Sequence, residues 1–387
     1  MVTTWLPTLS HPSIGSFVVE DARAIADLGH EVALIHLVPP YQVSDPSAMA
    51  LSGESPTIDG IAVTRLLMSP TNPRHIAAAT ARLARWSLGA DVVHTLAFST
   101  LVPFALWRPY APWVHTEHSS GLTSSYLLPK PWRLSLPVLR PLQTRPDVTT
   151  AVCDHLAASI REVRGSDPTV VVPCIVPRPA VLVPRRTKPD EISIVSVGGL
   201  IERKDPLMAL AAVAELARRG VFATLRFVGD GPLREGITNR AATLGISDQV
   251  TLVGTLDRAG VLDELARADV FLGPTRGDNF FVSCAEAVLS GRPVVVGANG
   301  GQGEYLDPRV GIRVEVHTPV AYADAIQNVL VQVDGMSAEQ ISDTIGDAFS
   351  SAQVAAGYDR AYDLAAEQPR RGARLRAYRR AQRTADA

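Results

Sequence analysis

Two carboxylates flank the predicted start of a helix within residues 273–287. A strand is predicted to end near Gly273, a turn-rich loop follows, and a helix begins at about Phe280. Asp278 precedes that helix, and Glu286 lies about two turns along it. Backbone N–H groups and the positive dipole end of a helix favour a phosphate, and flanking carboxylates can bind hydroxyl groups beside it. A helix cap at Asp278 and a solvated surface position for Glu286 are the alternatives.

A lysine follows another predicted strand. The chain has only three lysines, Lys130, Lys188 and Lys204, so a lysine within a motif is conspicuous. Lys204 directly precedes a predicted helix that opens at Asp205 and Pro206, and proline suits the first helical turn. A lysine at this place can neutralise a departing diphosphate, which stabilises a transition state electrostatically. A solvent-exposed lysine at a helix start is the alternative.

The amino-terminal half offers a glycine and three histidines near predicted strand ends. Gly15 leads into the first predicted helix, where it would let the backbone approach a phosphate, although most such glycines only form a turn. His118 ends a strand, and His94 follows another with a weaker claim to line an acceptor side. His115 is predicted to pack inside, as an isolated histidine more often does.

Strands and helices alternate along both halves, which is typical of α/β proteins with parallel sheets covered on both faces. In the first half, a helix is predicted at 17–28 among strands at 31–37, 61–67, 91–95, 112–116 and 147–152. In the second half, strands are predicted at 192–197, 223–228, 249–253, 269–273 and 293–296, with helices at 206–219, 232–244, 259–266 and 281–290.

The two series predict two doubly wound domains, residues 1–176 and 190–349. Four prolines lie within residues 176–191, and proline at that density favours an extended connection, although an irregular loop inside one domain is the alternative. A helix at about 350–366 can pack back on the first domain. Because ligands bind outside the carboxyl ends of such strands, the loops of two facing sheets would converge on one cleft.

Composition excludes several classes of protein. A formal net charge of −2 over 387 residues gives no electrostatic reason to expect a nucleic-acid partner. Three widely spaced cysteines support neither a disulfide scaffold nor a zinc site. No apolar run approaches about 20 residues, so a reducing cytoplasm is the expected location. The sequence holds no Asp-x-Asp pair, and no bound metal is expected.

Together these segments resemble glycosyltransferase family 4. Asp278 and Glu286, separated by seven residues, resemble the paired acids of that family, and Lys204 resembles its loop lysine. Residues 287–295, together with the preceding Glu286, resemble the family's Glu-Ala-x-x-x-Gly-x-Pro-Val run. The other similar motifs are Gly300 and Gly301 with Glu304, residues 228–232, and residues 197–200. The likeness extends from Val2 to about Tyr362.

The resemblance implies a GT-B fold, in which two Rossmann-like, doubly wound parallel-sheet domains face a central cleft. It implies retaining transfer of a hexose from a UDP- or GDP-linked nucleotide diphosphate sugar, a co-substrate and not a cofactor. Residues 1–176 would serve the hydroxyl acceptor (a glycan, a glycolipid or a small molecule), and residues 190–349 the donor. The acceptor loops, residues 42–58 and 121–142, carry no recognisable signature.

The family's site roles can be carried over residue by residue. Asp278 is expected to bind sugar hydroxyls, Glu286 the ribose, and Lys204 the diphosphate, while His118 would face the sugar from the other domain. Further donor contacts are expected at Gly15, Gly199, Arg203, Asn279, Phe280 and Phe281.

The chain departs from the family pattern in four places, one of which is Cys174-Ile175, where the family commonly has an Asn-Gly turn. Asp278 replaces a glutamate, residues 279–281 replace Gly-Phe-Gly, and Gly199 replaces an arginine for which Arg203 can substitute. Losing glycines costs backbone freedom beside the donor. These changes keep two alternatives open, namely a catalytically weak sugar-nucleotide-binding protein and a GT-B nucleotide-sugar epimerase.

The carboxyl-terminal tail, residues 369–387, contains seven arginines. With Leu375 and Tyr378 it could lie on an anionic membrane, which would suit a lipid-linked acceptor and a peripheral position on the inner membrane face. A solvated basic tail is the simpler interpretation.

Overall fold

The structure is a computed structural model that describes residues 1–7, 14–42, 57–119, 121–123, 130–186 and 191–368. The chain forms two compact units. The first unit comprises Met1–Ile175 and the chain from Ser351 onward, and the second comprises Val176–Ser350. The proline-rich segment belongs to the second unit, and its residues 176–186 contain no helix or strand.

The elements follow one another as alternating strands and helices. The strands are β1 (Val2–Thr3), β2 (Ala33–Val38), β3 (Thr57–Ile58), β4 (Ile61–Leu67), β5 (Val93–Leu96), β6 (Trp113–Glu117), β7 (Val148–Ala151), β8 (Thr169–Val171), β9 (Ile192–Val197), β10 (Ala223–Val228), β11 (Val250–Gly254), β12 (Val270–Gly273), β13 (Val294–Gly297) and β14 (Gly311–Val314). The helices are α1 (Ser16–Asp27), α2 (Pro73–Trp86), α3 (Lys130–Leu139), α4 (Asp154–Arg164), α5 (Pro206–Arg218), α6 (Arg234–Leu244), α7 (Arg258–Arg267), α8 (Val282–Leu289), α9 (Pro319–Gln332), α10 (Ala338–Ser342) and α11 (Ser351–Glu367).

The first unit is built on an eight-stranded sheet in the order β3-β4-β2-β1-β5-β6-β7-β8. Every pair is parallel except β3 with β4, an antiparallel pair at one edge. The strand order reverses between β1 and β5. β1 pairs in parallel with both β2 and β5, and Val2 lies opposite one residue of each. Helix α11 packs on α1 and on the sheet through a buried apolar face that includes Val354, Tyr358 and Ala361.

The second unit is built on a six-stranded, wholly parallel sheet in the order β11-β10-β9-β12-β13-β14. Its central strands are continuous buried apolar runs, as expected for a sheet covered on both faces. Helices α5 and α9 pack together on one face and complete a core around Ile194, Leu225 and Phe227. The strand order reverses between β9 and β12, and ligands of such sheets bind at that reversal, outside the carboxyl ends.

All ten strands predicted from the sequence at 31–37 through 293–296 are confirmed within two residues, as are the helices that begin near Pro206 and Arg258. The prediction omitted β3, β8 and β14. β3 and β8 have two and three residues, which is too short for a periodic pattern to identify, and β14 has four. Within the described ranges, no helix has both the length and the apolar character needed to cross a bilayer.

A buried carboxyl group joins α1 to α11 in the first unit. The Tyr358 hydroxyl donates a hydrogen bond of 3.0 Å to Asp21, whose side chain is almost fully buried. Burial raises the pKa of the Asp21 carboxyl to about 7, although the Tyr358 hydrogen bond acts in the opposite direction. The folded chain therefore retains a proton that the unfolded chain releases near its ordinary pKa of about 4.

We expect the free energy of unfolding to fall as pH rises from about 4 to about 7, because the unfolded chain alone loses this proton in that window, at a total cost of up to roughly 4 kcal/mol. Asp21→Asn carries no proton to lose, so it should flatten the slope. The measurement is the urea midpoint at several pH values. Asp27→Asn, an exposed change on the same helix, is the control and should keep the wild-type slope. An unchanged slope in Asp21→Asn would contradict the assignment.

Candidate active site

Two cations and one carboxylate meet at the strand reversal of the second unit. Arg203 and Lys204 lie in a short turn, Glu202–Lys204, after β9, and Asp278 lies in the loop after β12. The Lys204 Nζ atom is 2.6 Å from Asp278 Oδ2, and the Arg203 Nη1 atom is 2.6 Å from the same oxygen. The structure thus brings together three of the predicted site residues, which are 74 and 75 positions apart in sequence.

Backbone hydrogen bonds fasten the two loops to each other. The carbonyl oxygen of Arg203 accepts from the Arg276 amide at 2.9 Å and from the Thr275 hydroxyl at 3.1 Å. The Arg203 guanidinium also donates to the Gly277 carbonyl at 2.9 Å. Because each loop is held by the other, the positions of the cations depend on both strand ends.

The charges of this cluster do not cancel. Burial alone raises the pKa of the Asp278 carboxyl, but Lys204 and Arg203 outweigh burial and hold that pKa below its usual value. Burial lowers the pKa of Lys204, and the Asp278 charge partly restores it. With both partners charged, two cations face one carboxylate and leave one net positive charge, which suits an anionic ligand.

Phe281 has a backbone conformation that glycine normally adopts. Its φ is 60° and its ψ is 63°, in the left-handed region, immediately before α8. The ring fills the space above Gly273, where an added Cβ would lie 2.5 Å from Phe281 Cζ. The Lys204 ammonium lies 3.9 Å from the centre of the same ring, which is within cation–π range. The expected cost of losing a glycine is therefore visible in the backbone, and contacts of the aromatic ring offset it.

The predicted backbone contacts at residues 279–281 have a defined support. Asn279, Phe280 and Phe281 are almost fully buried, and their contact with a donor stays a prediction. The Tyr305 hydroxyl donates to the carbonyl oxygens of Phe280 and Phe281, both at 3.0 Å. Helix α8 begins two residues later than the predicted Phe280. The backbone amide of Cys284 donates a hydrogen bond to the carbonyl oxygen of Phe281 at 2.9 Å.

Two further predicted site residues lie near this cluster in sequence: Gly199 precedes Arg203, and Glu286 follows Asp278. Glu286 is a partly buried residue on α8, and its expected contact with a ribose stays a prediction. Gly199 is exposed, and a Cβ there would come no closer than 3.8 Å to Ile201. A Cβ would therefore meet no clash at Gly199, and packing does not require the glycine.

Gly15 and His118 are both placed at the carboxyl edge of the first unit's sheet. Gly15 has φ 76°, and an added Cβ would lie 2.2 Å from the Trp5 carbonyl oxygen, so only glycine fits this turn into α1. His118 follows β6, and its ring centre is 4.6 Å from that of Phe17. Burial lowers the pKa of the His118 imidazole to about 4, so the ring is neutral at pH 7. Its role toward a sugar stays a prediction.

The other two histidines belong to the interior of the first unit. His115 is fully buried, as predicted. His94 is also buried, with its ring nitrogens 2.9 Å from the Tyr362 hydroxyl and 2.6 Å from the Thr116 hydroxyl. His94 therefore packs between β6 and α11, and the suggestion that it lines an acceptor side is wrong.

Sequence reasoning missed several supporting residues. Asp205 accepts from Arg276 Nε at 2.9 Å, and its carboxylate lies 2.9 Å from His317 Nε2. Tyr305 directly follows the matched Glu304, so its place beside a motif was an available signal, whereas His317 had none. Among the residues that the structure describes, no group of three or more His, Cys, Asp or Glu side chains could hold a metal ion.

Comparison with known proteins assigns a family to each half of the chain. Residues 14–174 match the family described as "Glycosyl transferase 4-like domain". Residues 191–332 match the family described as "Glycosyl transferases group 1". The second match contains the whole Arg203, Lys204 and Asp278 cluster.

Curated relatives share parts of the sequence. A GDP-mannose-dependent alpha-(1-6)-phosphatidylinositol monomannoside mannosyltransferase from Mycolicibacterium smegmatis is 32% identical over 149 residues, which is 36% of this chain and 39% of that protein. A D-inositol 3-phosphate glycosyltransferase from Mycobacteroides abscessus is 26% identical over 78% of this chain and 75% of that protein. The chain spans about a third of the length of the first curated relatives it matches.

Solved structures share the fold. A sucrose-phosphate synthase from Thermosynechococcus elongatus superposes with a TM-score of 0.72 at 20% identity, over 90% of this chain and 92% of that one. This likeness confirms the predicted GT-B fold of parallel-sheet domains.

Replacing Phe281 tests the balance between strain and packing. Phe281→Gly should lower the free energy of unfolding by about 1–4 kcal/mol, because losing a buried phenylalanine costs about 3–5 kcal/mol and relief of the left-handed backbone returns about 1–2 kcal/mol. Urea unfolding measures the change. Phe281→Leu keeps both the strain and most of the apolar volume, so it should cost less. A glycine variant as stable as wild type would contradict this, because the ring contacts would then contribute no more than the strain costs.

Proposed function

Because the chain belongs to glycosyltransferase family 4, we propose that it moves a hexose from a nucleotide diphosphate sugar to a hydroxyl acceptor with the anomeric configuration kept. The observation that carries this proposal is the net positive cluster of Arg203, Lys204 and Asp278 at the strand reversal of the second unit. UDP- and GDP-linked sugars are both candidates for the donor, and the GDP-mannose dependence in the name of the Mycolicibacterium relative supports the second.

The reaction breaks the bond between the anomeric carbon and the diphosphate oxygen, and forms a bond from that carbon to the acceptor oxygen. The proton of the acceptor hydroxyl passes to the departing diphosphate on the same face of the sugar. Negative charge grows on the leaving oxygen as the first bond breaks. Lys204 and Arg203 stabilise that charge, and their low exposure strengthens the effect because water screens it little.

The other roles follow from position in the two units. Asp278 binds sugar hydroxyls through its carboxylate, which its two cations keep ionised. Glu286 binds the ribose, and backbone N–H groups of residues 279–281, supported by Tyr305, bind the diphosphate. In the first unit, the backbone near Gly15 is proposed to bind a phosphate, and the neutral His118 imidazole a sugar hydroxyl.

Removing the lysine should impair turnover strongly. We expect Lys204→Met to lower kcat/KM by about 100- to 1000-fold, because a preorganised charge at the leaving group is lost. The assay is release of nucleotide diphosphate from a panel of UDP- and GDP-sugars. Arg218→Met removes an exposed cation of the second unit and is the matched control, with unchanged turnover expected.

Three other outcomes would contradict the proposal. Full activity of Lys204→Met would remove the lysine from the mechanism. Nucleotide binding without turnover of any donor would identify a catalytically weak binding protein. An altered sugar on the nucleotide, formed without acceptor, would identify an epimerase.

The acceptor is a hydroxyl compound, and we extend the proposal to peripheral contact of the chain with anionic membranes. The support is the basic composition of residues 369–387, which lie outside the described residues. A chain that ends at Glu367 should bind vesicles containing anionic lipid at least tenfold more weakly than the full chain, because each arginine near such a surface contributes about 1 kcal/mol. Neutral phosphatidylcholine vesicles are the control. Equal binding by both chains would remove the membrane contact.

A further inference from the structure

A pocket of about 330 Å³ opens at the carboxyl edge of the first unit's sheet. Residues after β1, β2, β4, β5 and β6 contribute to it, and α3 closes one side. Its volume is within the range of small-molecule sites. The reversal of strand order between β1 and β5 lies directly below it, which is where a sheet of this type binds ligands.

The wall of this pocket is apolar and uncharged in its described residues. Its larger side chains are Trp5, Met68, Phe98, Leu122, Leu136 and Leu139. Three hydroxyl groups, of Thr4, Ser99 and Ser119, supply the polar side chains, and those of Thr4 and Ser99 lie 2.6 Å apart. Such a wall complements an apolar body that carries few hydroxyl groups.

One residue in the wall, Ala97, has a strained backbone conformation that hydrogen bonds hold in place. Ala97 has φ 73° and ψ 141°, a conformation that L-residues rarely adopt. Its amide donates to the Thr116 carbonyl at 3.1 Å, and its own carbonyl accepts from the Thr100 amide at 3.0 Å and hydroxyl at 2.6 Å. Backbone strain of this kind is concentrated at ligand sites, because the surroundings must over-determine it.

The described lining residues of the pocket, which lie after β1, β2, β4, β5 and β6 and on α3, include no lysine or arginine. Proteins bind phosphate groups mainly through arginine and lysine, so this composition favours a neutral ligand.

We propose that this pocket binds the acceptor, and that the acceptor carries an uncharged apolar group such as an alkyl or aryl substituent beside its reactive hydroxyl. This inference rests on the proposed glycosyl transfer. It distinguishes the chain from its Mycobacteroides relative, whose name specifies an acceptor that bears a phosphate. Specificity here comes from burial of apolar surface, with the hydroxyl groups of Thr4, Ser99 and Ser119 orienting the ligand.

The first test compares acceptors at a fixed donor concentration. The series is methyl, hexyl and 4-nitrophenyl β-D-glucoside, against D-inositol 3-phosphate. Because each buried methylene strengthens binding about threefold to fourfold, KM should fall at least tenfold from methyl to hexyl glucoside. A preference for D-inositol 3-phosphate, or no dependence on chain length, would overturn the proposal.

The second test places a charge in the wall. Leu136→Asp should raise the KM for hexyl glucoside at least tenfold. Leu134→Asp is the matched control, because Leu134 is on the same helix but 77% exposed, and it should leave that KM unchanged. Leu136→Asn is a milder variant with the same expected direction, should the aspartate prevent folding. Equal KM values for the Leu136 variants and wild type would overturn the assignment.

Binding without turnover separates this inference from the proposed function. Hexyl glucoside should raise the Tm of the wild-type chain and not that of Leu136→Asn, because a ligand of the folded state stabilises it. If no donor is turned over but this Tm difference persists, the transfer reaction fails and the pocket stands. If donors are hydrolysed but hexyl glucoside neither binds nor accepts, the pocket assignment alone fails.

Discussion

The carboxylate of Asp278, shared between Arg203 and Lys204, is the interaction on which the rest of the candidate site depends. A buried lysine and arginine would repel each other, and desolvation would disfavour both charges. One carboxylate oxygen at 2.6 Å from each cation makes their proximity tolerable and leaves one positive charge for a ligand. Neither loop could hold this arrangement alone, because the carboxylate and the cations come from different strand ends.

The strand order explains why those ends are neighbours. β9 and β12 pair directly, although two other strands separate them in sequence. From β9 the chain continues to β10 and from β12 to β13, which lie in opposite directions along the sheet. The loops after these two strands therefore diverge and leave a crevice between them. The first unit has the same reversal at β1 and β5, where the turn at Gly15 and the strained Ala97 lie. One topological rule therefore places the cationic cluster in one unit and the apolar pocket in the other.

The departures from the family pattern are structurally compensated. The left-handed backbone of Phe281 is strained, and contacts of its ring with Gly273 and with the Lys204 ammonium offset that strain. Tyr305 secures the carbonyl groups of that strained turn. Gly199 leaves room where the family has an arginine, and Arg203 supplies a cation beside Lys204.

The sequence by itself determined the alternation of strands and helices, because buried apolar runs such as β13 and a proline-started helix such as α5 are local patterns. It also pointed to Lys204 and Asp278 as candidate site residues, from their strand-end positions together with the resemblance to glycosyltransferase family 4. Only the tertiary structure decided that Arg203 and Lys204 share one carboxylate oxygen, and that His94 packs under α11. Those contacts join residues 74 to 268 positions apart, and no local pattern specifies which distant strand ends become neighbours.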